Sequence, residues 1–244
     1  SVPWVKVSPS EGKVTEDTRI EVSVDWSKAP LGASDQFITL AGSDGTKVEV
    51  IVPVSNPESP RPESLSGYIE SNGTIAIEAA RFQRSFVTSD LSWQTIDGLG
   101  RTLSGITPFP VTAPAQVPSV DSTRLEYDFH VFKAGKIKIE MHFSPTLDFQ
   151  PGDGRRYAVA INDELPQIIP LQTMETMQNW EKAVSEGVRK VTTTHEVTQA
   201  GPQTLRYWMV DPGVVLQRIV IDTGGLKPSY LGPQASPLFQ AKVE

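Results

Sequence analysis

The stretch "RLEYDFHVFKAGKIKIEMHF", residues 124–143, contains two runs in which apolar and polar residues alternate. A period of two is typical of a β-strand with one buried face. The short link between the runs ends in Gly135, which suits a tight turn with a bulge. The stretch therefore predicts an antiparallel hairpin with one apolar side. That side comprises Leu125, Tyr127, Phe129, Val131, Ile137, Ile139, Met141 and Phe143.

The polar side of this hairpin gathers residue types that bind metals. In the predicted register Asp128 pairs with Glu140, and His130 and His142 lie on the same face. Cross-strand neighbours are about 5 Å apart, and carboxylates and imidazoles are common zinc ligands. The same residues also suit a solvated outer face, on which Lys138 offsets the carboxylate repulsion. A metal site and a solvated face therefore both remain open.

Further strand-like runs flank the hairpin on both sides. They are separated by turn signals and lie at 74–82, 156–162, 166–171, 195–198, 204–210 and 214–222. About eight strands joined by long loops favour a jelly-roll-like β-sandwich. The "DPG" at 211–213 predicts a hairpin turn before the last strand. The proline-rich segment 97–121 predicts a long loop, which is often functional.

One segment, "TMQNWEKAVSEGV" at 176–188, has helical spacing and predicts a short helix. Met177, Trp180 and Val184 fall on one face of it, and Val188 continues the stripe. Two interpretations of Trp180 remain open. Either the indole anchors the helix in the core, or it stands at a loop and stacks on a sugar ring.

Residues 1–57 predict a small separate β-sandwich of about four strands. Apolar and polar residues alternate at 20–26 and 48–54, and Asp44-Gly45 is a strong hairpin turn between them. Residues 58–66 are rich in proline and predict a stiff linker. Residues 67–244 then form the larger sandwich domain with its one short helix, so the fold class is all-β.

Composition excludes several classes of protein. The 244-residue chain has a net charge of −7, and its 22 basic residues form no stripe, which argues against nucleic acid and anionic membranes as partners. It has no run of about 18 apolar residues that would span a bilayer. It has no cysteine, which excludes disulfides, thiolate metal sites and a cysteine nucleophile.

Catalytic motifs are equally scarce. The chain has no G-x-S-x-G, and "GLGR" at 98–101 lacks the GK[ST] ending of a phosphate loop. A glycosidase needs two carboxylates across a cleft, and no pair stands out among the 29 acidic residues. The loop carboxylates Asp148, Asp153, Asp163 and Glu164 carry little weight as catalytic groups.

Aromatic residues near predicted loops are the better candidates for ligand contact, since sugar rings stack on exposed aromatic side chains. Trp180 is the first choice, followed by Tyr157 and Trp93, with Tyr230 near a further loop. Burial in the core is the alternative for each of them. Trp208 lies in the middle of a strand and is expected in the core.

Four long motifs resemble the C-terminal region of glycoside hydrolase family 115, the xylan α-1,2-glucuronidases. They are "GLGRTLSGITPFP", "FSPTLDFQPGDGRRYAVAINDELPQIIPL", "NWEKAVSEGVRKV" and "LRYWMVDPGVVLQRIVIDTGGLKPSYLGP". The resemblance covers most of residues 66–235. Residues 1–57 resemble a small Ig-like module that can precede this region. The larger domain is also similar to galactose-binding-like sandwiches, including carbohydrate-binding module families 6 and 35.

The resemblance implies a non-catalytic accessory region of a secreted hemicellulose-degrading α-glucuronidase, found outside the cell or in the periplasm. The region would support the fold, dimerisation or the substrate cleft of an upstream catalytic domain that acts on glucuronoxylan. The family's catalytic carboxylates belong to that upstream barrel, and no position here matches them. An independent carbohydrate-binding module for xylan or a related plant polysaccharide is the alternative. The similar binding modules also imply a structural calcium between Glu78 and Asp222.

Overall fold

The structure is a computed structural model. The chain divides into two compact units, Ser1–Ser64 and Leu65–Glu244. It describes residues 2–14, 18–56, 65–88, 90–149, 154–172 and 176–239. Residues 58–64 of the predicted linker therefore lie outside the described residues.

The first unit contains two antiparallel strand pairs. Its strands are β1 (Val5–Ser8), β2 (Glu21–Val24), β3 (Gly32–Ala41) and β4 (Lys47–Asn56), with β1 beside β2 and β3 beside β4. Asp44-Gly45 forms the predicted turn, since the Asp44 carboxylate accepts the Thr46 amide at 2.9 Å and Gly45 has a φ of 85°. The strand that this turn joins to β4 is β3, however, and not the run at 20–26. The likeness of this unit to an Ig-like module stays a prediction.

The second unit is a sandwich of two sheets with one helix. Its elements are β5 (Gly67–Ile69), β6 (Thr74–Glu78), β7 (Arg84–Phe86), β8 (Ser92–Asp97), β9 (Ser104–Phe109), β10 (Arg124–Val131), β11 (Gly135–Phe143), β12 (Arg156–Ile161), β13 (Gln167–Pro170), α1 (Met177–Glu186), β14 (Arg189–Val197), β15 (Gly201–Met209), β16 (Leu216–Asp222) and β17 (Leu238–Phe239). Sheet A has the order β13-β12-β15-β10-β5-β17, with β7 also beside β10. Sheet B has the order β14-β11-β16-β9-β8, with β6 also beside β16.

The core of this unit lies between the two sheets. The eight alternating apolar residues predicted from 124–143 are all buried in it, together with Ile219 and Ile221 of β16. Phe143, Tyr157 and Tyr207 form an aromatic cluster at one end, with Phe143 and Tyr157 only 4.7 Å apart between ring centroids. Burying side chains of this size stabilises the folded state by about 1.5–3 kcal/mol each.

The predicted hairpin of residues 124–143 is wrong in its pairing. β10 lies in sheet A between β15 and β5, whereas β11 lies in sheet B between β14 and β16. The three-residue link therefore crosses from one sheet to the other. Alternation identifies the buried face of each strand but not its hydrogen-bonded neighbour, because two apolar faces meet equally well across a core.

The prediction of a hairpin turn at 211–213 is also wrong, because the strands on its two sides lie in different sheets. β15 belongs to sheet A and β16 to sheet B, so the segment between them joins the sheets instead of closing a hairpin. Both strands are nonetheless buried as predicted.

The proline-rich segment 97–121 is not a structureless loop. It contains β9, which pairs with β8. After β9 the chain crosses the outer face of sheet A, where the Trp208 indole N–H donates to the Ser119 carbonyl at 2.7 Å. Trp208 is buried beneath this segment beside Ala158 and Ala160. The predicted burial of Trp208 is confirmed, although it lies outside the main core.

Two glycine-containing turns of the second unit touch through their backbones. The Gly73 carbonyl accepts the amides of Thr223 and Gly225 at 2.9 and 3.1 Å. A Cβ added at Gly225 would lie 1.9 Å from the Asn72 carbonyl oxygen, well inside van der Waals contact. Glycine at 225 is therefore required by close approach of two chain segments.

We expect Gly225→Ala to destabilise the second unit strongly. Relief of the clash requires the two turns to separate and their hydrogen bonds to break, at a cost of about 2–4 kcal/mol. Thermal unfolding followed by circular dichroism measures the effect. Gly12→Ala is the control, because a Cβ at Gly12 meets nothing within 4 Å. An unchanged melting temperature for Gly225→Ala would contradict the close contact.

Candidate functional site

Helix α1 has a well-defined start and end. The Thr176 hydroxyl accepts the Asn179 amide at 3.1 Å at the start, and Gly187 takes the left-handed conformation with a φ of 65° at the end. Hydroxyl caps and terminal glycines satisfy the free groups of a helix end. In the described part of the chain no helix is long and apolar enough to cross a membrane.

Most of the apolar stripe of α1 is not buried, although Val188 just after the helix is. Met177 is 72% exposed and Val184 is 51% exposed, while Trp180 is only partly buried. Within the helix, the buried residue is Ala183. The interpretation of Trp180 as a core anchor is therefore not supported, because the two sheets already cover each other and α1 lies outside them beside β14.

An open groove of about 690 Å³ lies at the C-terminal end of α1. Three of the segments that wall it are the β8–β9 loop with Arg101, the side of the helix that runs from Trp180 to Glu186, and the segment after β16 with Tyr230, and Ser144 and Pro145 after β11 also line it. Gln217 at the start of β16 also lines it. The volume is within the range of small-molecule sites.

Arg101 binds these three walls together. Its Nε donates to the Glu186 carbonyl at 2.8 Å, Nη1 to the Tyr230 carbonyl at 2.9 Å, and Nη2 to the Glu186 carboxylate at 3.2 Å. Its guanidinium also lies 4.3 Å from the centroid of the Tyr230 ring. The sequence showed Arg101 only as a lone arginine, since its partners are 85 and 129 residues away.

Gln217 fixes the base of the groove. Its amide nitrogen donates to the Ser144 hydroxyl and to the Gly187 carbonyl, both at 3.0 Å. Gly100, with a φ of 122°, packs so closely that an added Cβ would be 3.0 Å from the Gln217 oxygen. The groove is thus held in shape by groups that belong to the folded domain.

The free groups of the groove suit hydrogen bonding and ring stacking. Among the described residues, neither the Trp180 indole N–H nor the Tyr230 hydroxyl has a side-chain hydrogen-bond partner. Of the lining residues, Glu186 is the one that carries a carboxylate, and it is held by Arg101. The groove therefore offers aromatic surface, donors and one acceptor, but no pair of carboxylates.

Two of the aromatic residues named as sugar contacts lie elsewhere. Tyr157 is fully buried in the aromatic cluster, where burial raises the pKa of its hydroxyl, so its prediction as a stacking residue is wrong. Trp93 is partly buried on β8, with its ring 5.9 Å from that of Tyr207. Neither joins Trp180 at the groove.

The two residues expected to share a calcium are not brought together. Glu78 pairs with Arg218 on β16, whereas Asp222 pairs with Thr74, four residues further along. At about 3.4 Å per residue the two are roughly 14 Å apart. The Glu78 carboxylate accepts the Thr102 hydroxyl at 2.8 Å, and the Asp222 carboxylate accepts two backbone amides.

The predicted metal-ligand face is also divided. Asp128 and His130 lie on β10 in sheet A, while Glu140 and His142 lie on β11 in sheet B. Among the described residues, no group of three or more potential metal-ligating side chains is found.

The outward carboxylates of the two sheets are bound by cations. Arg84 donates two hydrogen bonds of 2.5 and 2.6 Å to the Asp128 carboxylate and a third to Glu126. On the other sheet, Glu140 is 2.7 Å from the His142 imidazole and 3.0 Å from the Lys190 ammonium.

The loop carboxylates likewise have structural partners. Glu164 lies 2.6 Å from the buried imidazole of His195, whose other ring nitrogen is 2.9 Å from the Thr193 hydroxyl. Asp148 pairs with Arg155 at 3.3 Å, and Asp163 with Arg206 at 3.3 Å. Asp153 lies outside the described residues. The His195 network was not predicted, because its members are 31 residues apart in sequence.

Three carboxyl groups of the second unit, those of Glu126, Asp128 and Glu140, have pKa values below their ordinary values. Burial alone would raise the pKa of Glu126 and Asp128, but hydrogen bonds from Arg84 and others outweigh it. The hydrogen bond with His142 lowers the pKa of Glu140 to about 2, with Lys190 adding to the effect against the opposing burial. A catalytic acid requires a shift in the opposite direction.

A family model described as "Glycosyl hydrolase family 115 C-terminal domain" matches residues 67–235. No curated protein sequence matches the chain. Among solved structures, a family GH115 4-O-methyl-α-glucuronidase with specificity for decorated arabinogalactans is similar, with 17% identity and a TM-score of 0.48. The alignment covers 62% of this chain and 18% of that one, so the chain spans under a fifth of that glucuronidase.

Two carbohydrate-binding modules are also similar in structure. The C-terminal family 6 module of a marine laminarinase from Zobellia galactanivorans has 17% identity and a TM-score of 0.40, covering 61% of this chain and 98% of the module. A family 35 module from Clostridium thermocellum has 15% identity and a TM-score of 0.41, covering 60% and 97%. Identities and TM-scores this low assign no function.

Removing the Arg101 guanidinium should destabilise the second unit. Arg101→Ala loses three hydrogen bonds from a nearly buried cation, at a cost of about 2–4 kcal/mol, and frees the Tyr230 segment. Denaturant unfolding and limited proteolysis measure the two effects. Lys182→Ala serves as the control, because Lys182 is 73% exposed and 4.0 Å from Glu186. Equal stability of the two variants would contradict the role of Arg101.

Glu140→Gln should change how stability depends on pH. The pKa of the Glu140 carboxyl is lower in the folded chain than its ordinary value of 4.5. The contribution of the carboxylate to the free energy of unfolding is therefore complete above about pH 4.5. The contribution, on the order of 2 kcal/mol, is lost as the pH falls towards about 2. Urea unfolding at pH 6 and pH 3 should give a larger difference between wild type and variant at pH 6. A difference independent of pH would contradict the ion pair, and Glu181→Gln on the exposed helix surface is the control.

Proposed function

Because the chain belongs to glycosyl hydrolase family 115, whose C-terminal domain it carries, we propose that it is a non-catalytic accessory region of an α-glucuronidase. The enzyme would act on glucuronoxylan in the degradation of hemicellulose, outside the cell or in the periplasm. The match over residues 67–235 is the observation that carries this proposal.

The chemistry of the described side chains supports a non-catalytic role. Glycoside hydrolysis requires a proton donor and a second carboxylate about 5–10 Å away across a cleft. In the groove, Glu186 stands alone and is bound to Arg101. Glu126 and Asp128 share Arg84, and their pKa values are lowered, so neither is suited to donate a proton at neutral pH.

The proposed partner is a catalytic domain upstream in the same protein. The second unit would support that domain by packing against it, by contributing to the substrate cleft or by holding two copies together. A gene whose reading frame encodes a catalytic barrel ahead of Ser1 would agree with this assignment, and an immediately preceding stop codon would contradict it.

A second role, polysaccharide binding, is favoured by one observation. Trp180 and Tyr230 both line the groove, where Tyr230 is 67% exposed and Trp180 is partly exposed. This role is compatible with the first, since an accessory region can hold the polymer beside a catalytic cleft.

The purified 244-residue chain should release no 4-O-methylglucuronate from glucuronoxylan. The expected rate equals that of a heat-inactivated sample, because the residues that the structure describes place no acid and base for the reaction. Chromatography of released uronic acids measures the outcome, with an active family 115 enzyme as the positive control. Release above the heat-inactivated control that is lost in Glu186→Gln would sink the proposal and identify the groove as catalytic.

A further inference from the structure

The apolar stripe of α1 departs in part from ordinary helix packing, since only its last member, Val188, is buried. An amphipathic helix on a globular domain usually turns its apolar side inward. Here Met177 and Val184 are exposed and Trp180 lines an open groove, while the small Ala183 makes the contact with the domain. The Trp180 indole is partly buried and the rest of it faces the groove, together with the 67% exposed Tyr230, so aromatic surface is gathered at one place.

We propose that the groove at the end of α1 binds a neutral oligosaccharide, with the Trp180 ring as the stacking surface and Tyr230 on the neighbouring wall. A sugar ring has apolar C–H faces that lie against aromatic rings and hydroxyls at its edge that require hydrogen bonds. The groove supplies both kinds of contact.

The hydrogen-bonding groups of the groove suit sugar hydroxyls. The Trp180 indole N–H and the Tyr230 hydroxyl have no side-chain partner among the described residues and can donate. Oε2 of Glu186 is held by Arg101, whereas Oε1 has Lys182 at 4.0 Å as its neighbour within the described ranges and can accept from a hydroxyl. Each hydroxyl both donates and accepts, so a mixed set of this kind is suited to a sugar edge.

The charges of the groove favour a neutral ligand over an acidic one. The guanidinium of Arg101 already donates hydrogen bonds to the Glu186 carboxylate and to two carbonyl oxygens. Among the described lining residues Arg101 is the one cation, and the exposed Lys182 lies 4.0 Å from Glu186 outside the lining, so a uronate would have to compete with Glu186 for both. The xylose backbone of a glucuronoxylan therefore fits better than its acidic side groups.

The groove is also held in its open shape before any ligand arrives. Arg101 ties the helix end, the β8–β9 loop and the Tyr230 segment together, and Gln217 ties the base. A site with fixed walls loses little conformational entropy on binding. One or two stacked rings nevertheless give modest affinity, and we expect a Kd on the order of 0.1–1 mM.

Titration of the ¹⁵N-labelled chain with xylotetraose, followed through the indole N–H signals, tests the site directly. The chain has five tryptophans, and Trp208 and Trp93 provide internal references because their indole N–H groups are buried. The Trp180 signal, assigned with Trp180→Phe, should shift and saturate while those two stay in place. Glucuronate alone should produce no saturable shift.

Three variants assign the binding to the groove. Trp180→Ala should weaken binding by at least about tenfold and Tyr230→Ala by several-fold, both measured by calorimetry. Met177→Ala is the matched control, since Met177 lies on the same helix, is 72% exposed and does not line the groove. Its affinity should equal that of the wild type. Melting temperatures establish that each variant is folded.

The choice of xylotetraose rests on the proposed function, so a panel of neutral β-linked glucose and galactose oligosaccharides separates the two ideas. Saturable binding of another neutral sugar at Trp180 supports the site and counts against xylan as the polymer. Absence of a Trp180 shift with every neutral sugar up to about 20 mM overturns the site and leaves the accessory role standing. Binding that survives unchanged in both Trp180→Ala and Tyr230→Ala, or that requires the acidic sugar, also overturns it.

Discussion

The contact between the apolar faces of β10 and β11 across the interior of the second unit is the constraint on which the rest of the domain depends. Each strand contributes four alternating side chains that are almost completely buried, and the link between them has only three residues. Once the chain places these strands in opposite sheets, the two sheets must lie about 10 Å apart with their apolar faces together. The outer faces are then left to polar groups and to the segments that cross them.

The outer surfaces are organised by arginines more than by apolar contact. Arg84 joins carboxylates on sheet A, and Arg218 binds carbonyl oxygens of the segment after β16. Arg101 acts in the same way at the groove. Planar guanidinium groups with five N–H donors can serve several acceptors at once. They fasten the segments at the groove and after β16 to the domain, whereas the segment after β9 covers the apolar patch of Trp208, Ala158 and Ala160.

The sequence predicts the buried faces of the strands well and their neighbours poorly. Alternation in 124–143 identifies all eight core residues, because burial of one face is a local property of a strand. The pairing of β10 with β15 depends on residues about 80 positions away, which no local pattern records. β9 was missed because prolines at 108 and 110 obscured it, although Pro108 is buried on this strand.

The groove was foreseen only through Trp180. Its other defining groups, Arg101, Glu186 and Tyr230, are brought together from three distant segments, and none has a local signal of its own. The sequence leaves both interpretations of Trp180 open, because helical periodicity shows which residues share a face and not whether the neighbouring surface has room for them. Ala183, the buried residue of the helix, has a small side chain that no apolar period singles out.

The first and last described strands of the second unit are neighbours at the edge of sheet A. Leu238 of β17 pairs with Tyr68 of β5, so the chain enters and leaves the sandwich at one place. A domain whose ends meet can be cut from one polypeptide and joined into another without threading its core through the junction. The sandwich is therefore suited to insertion into other polypeptides and to recombination among multidomain proteins.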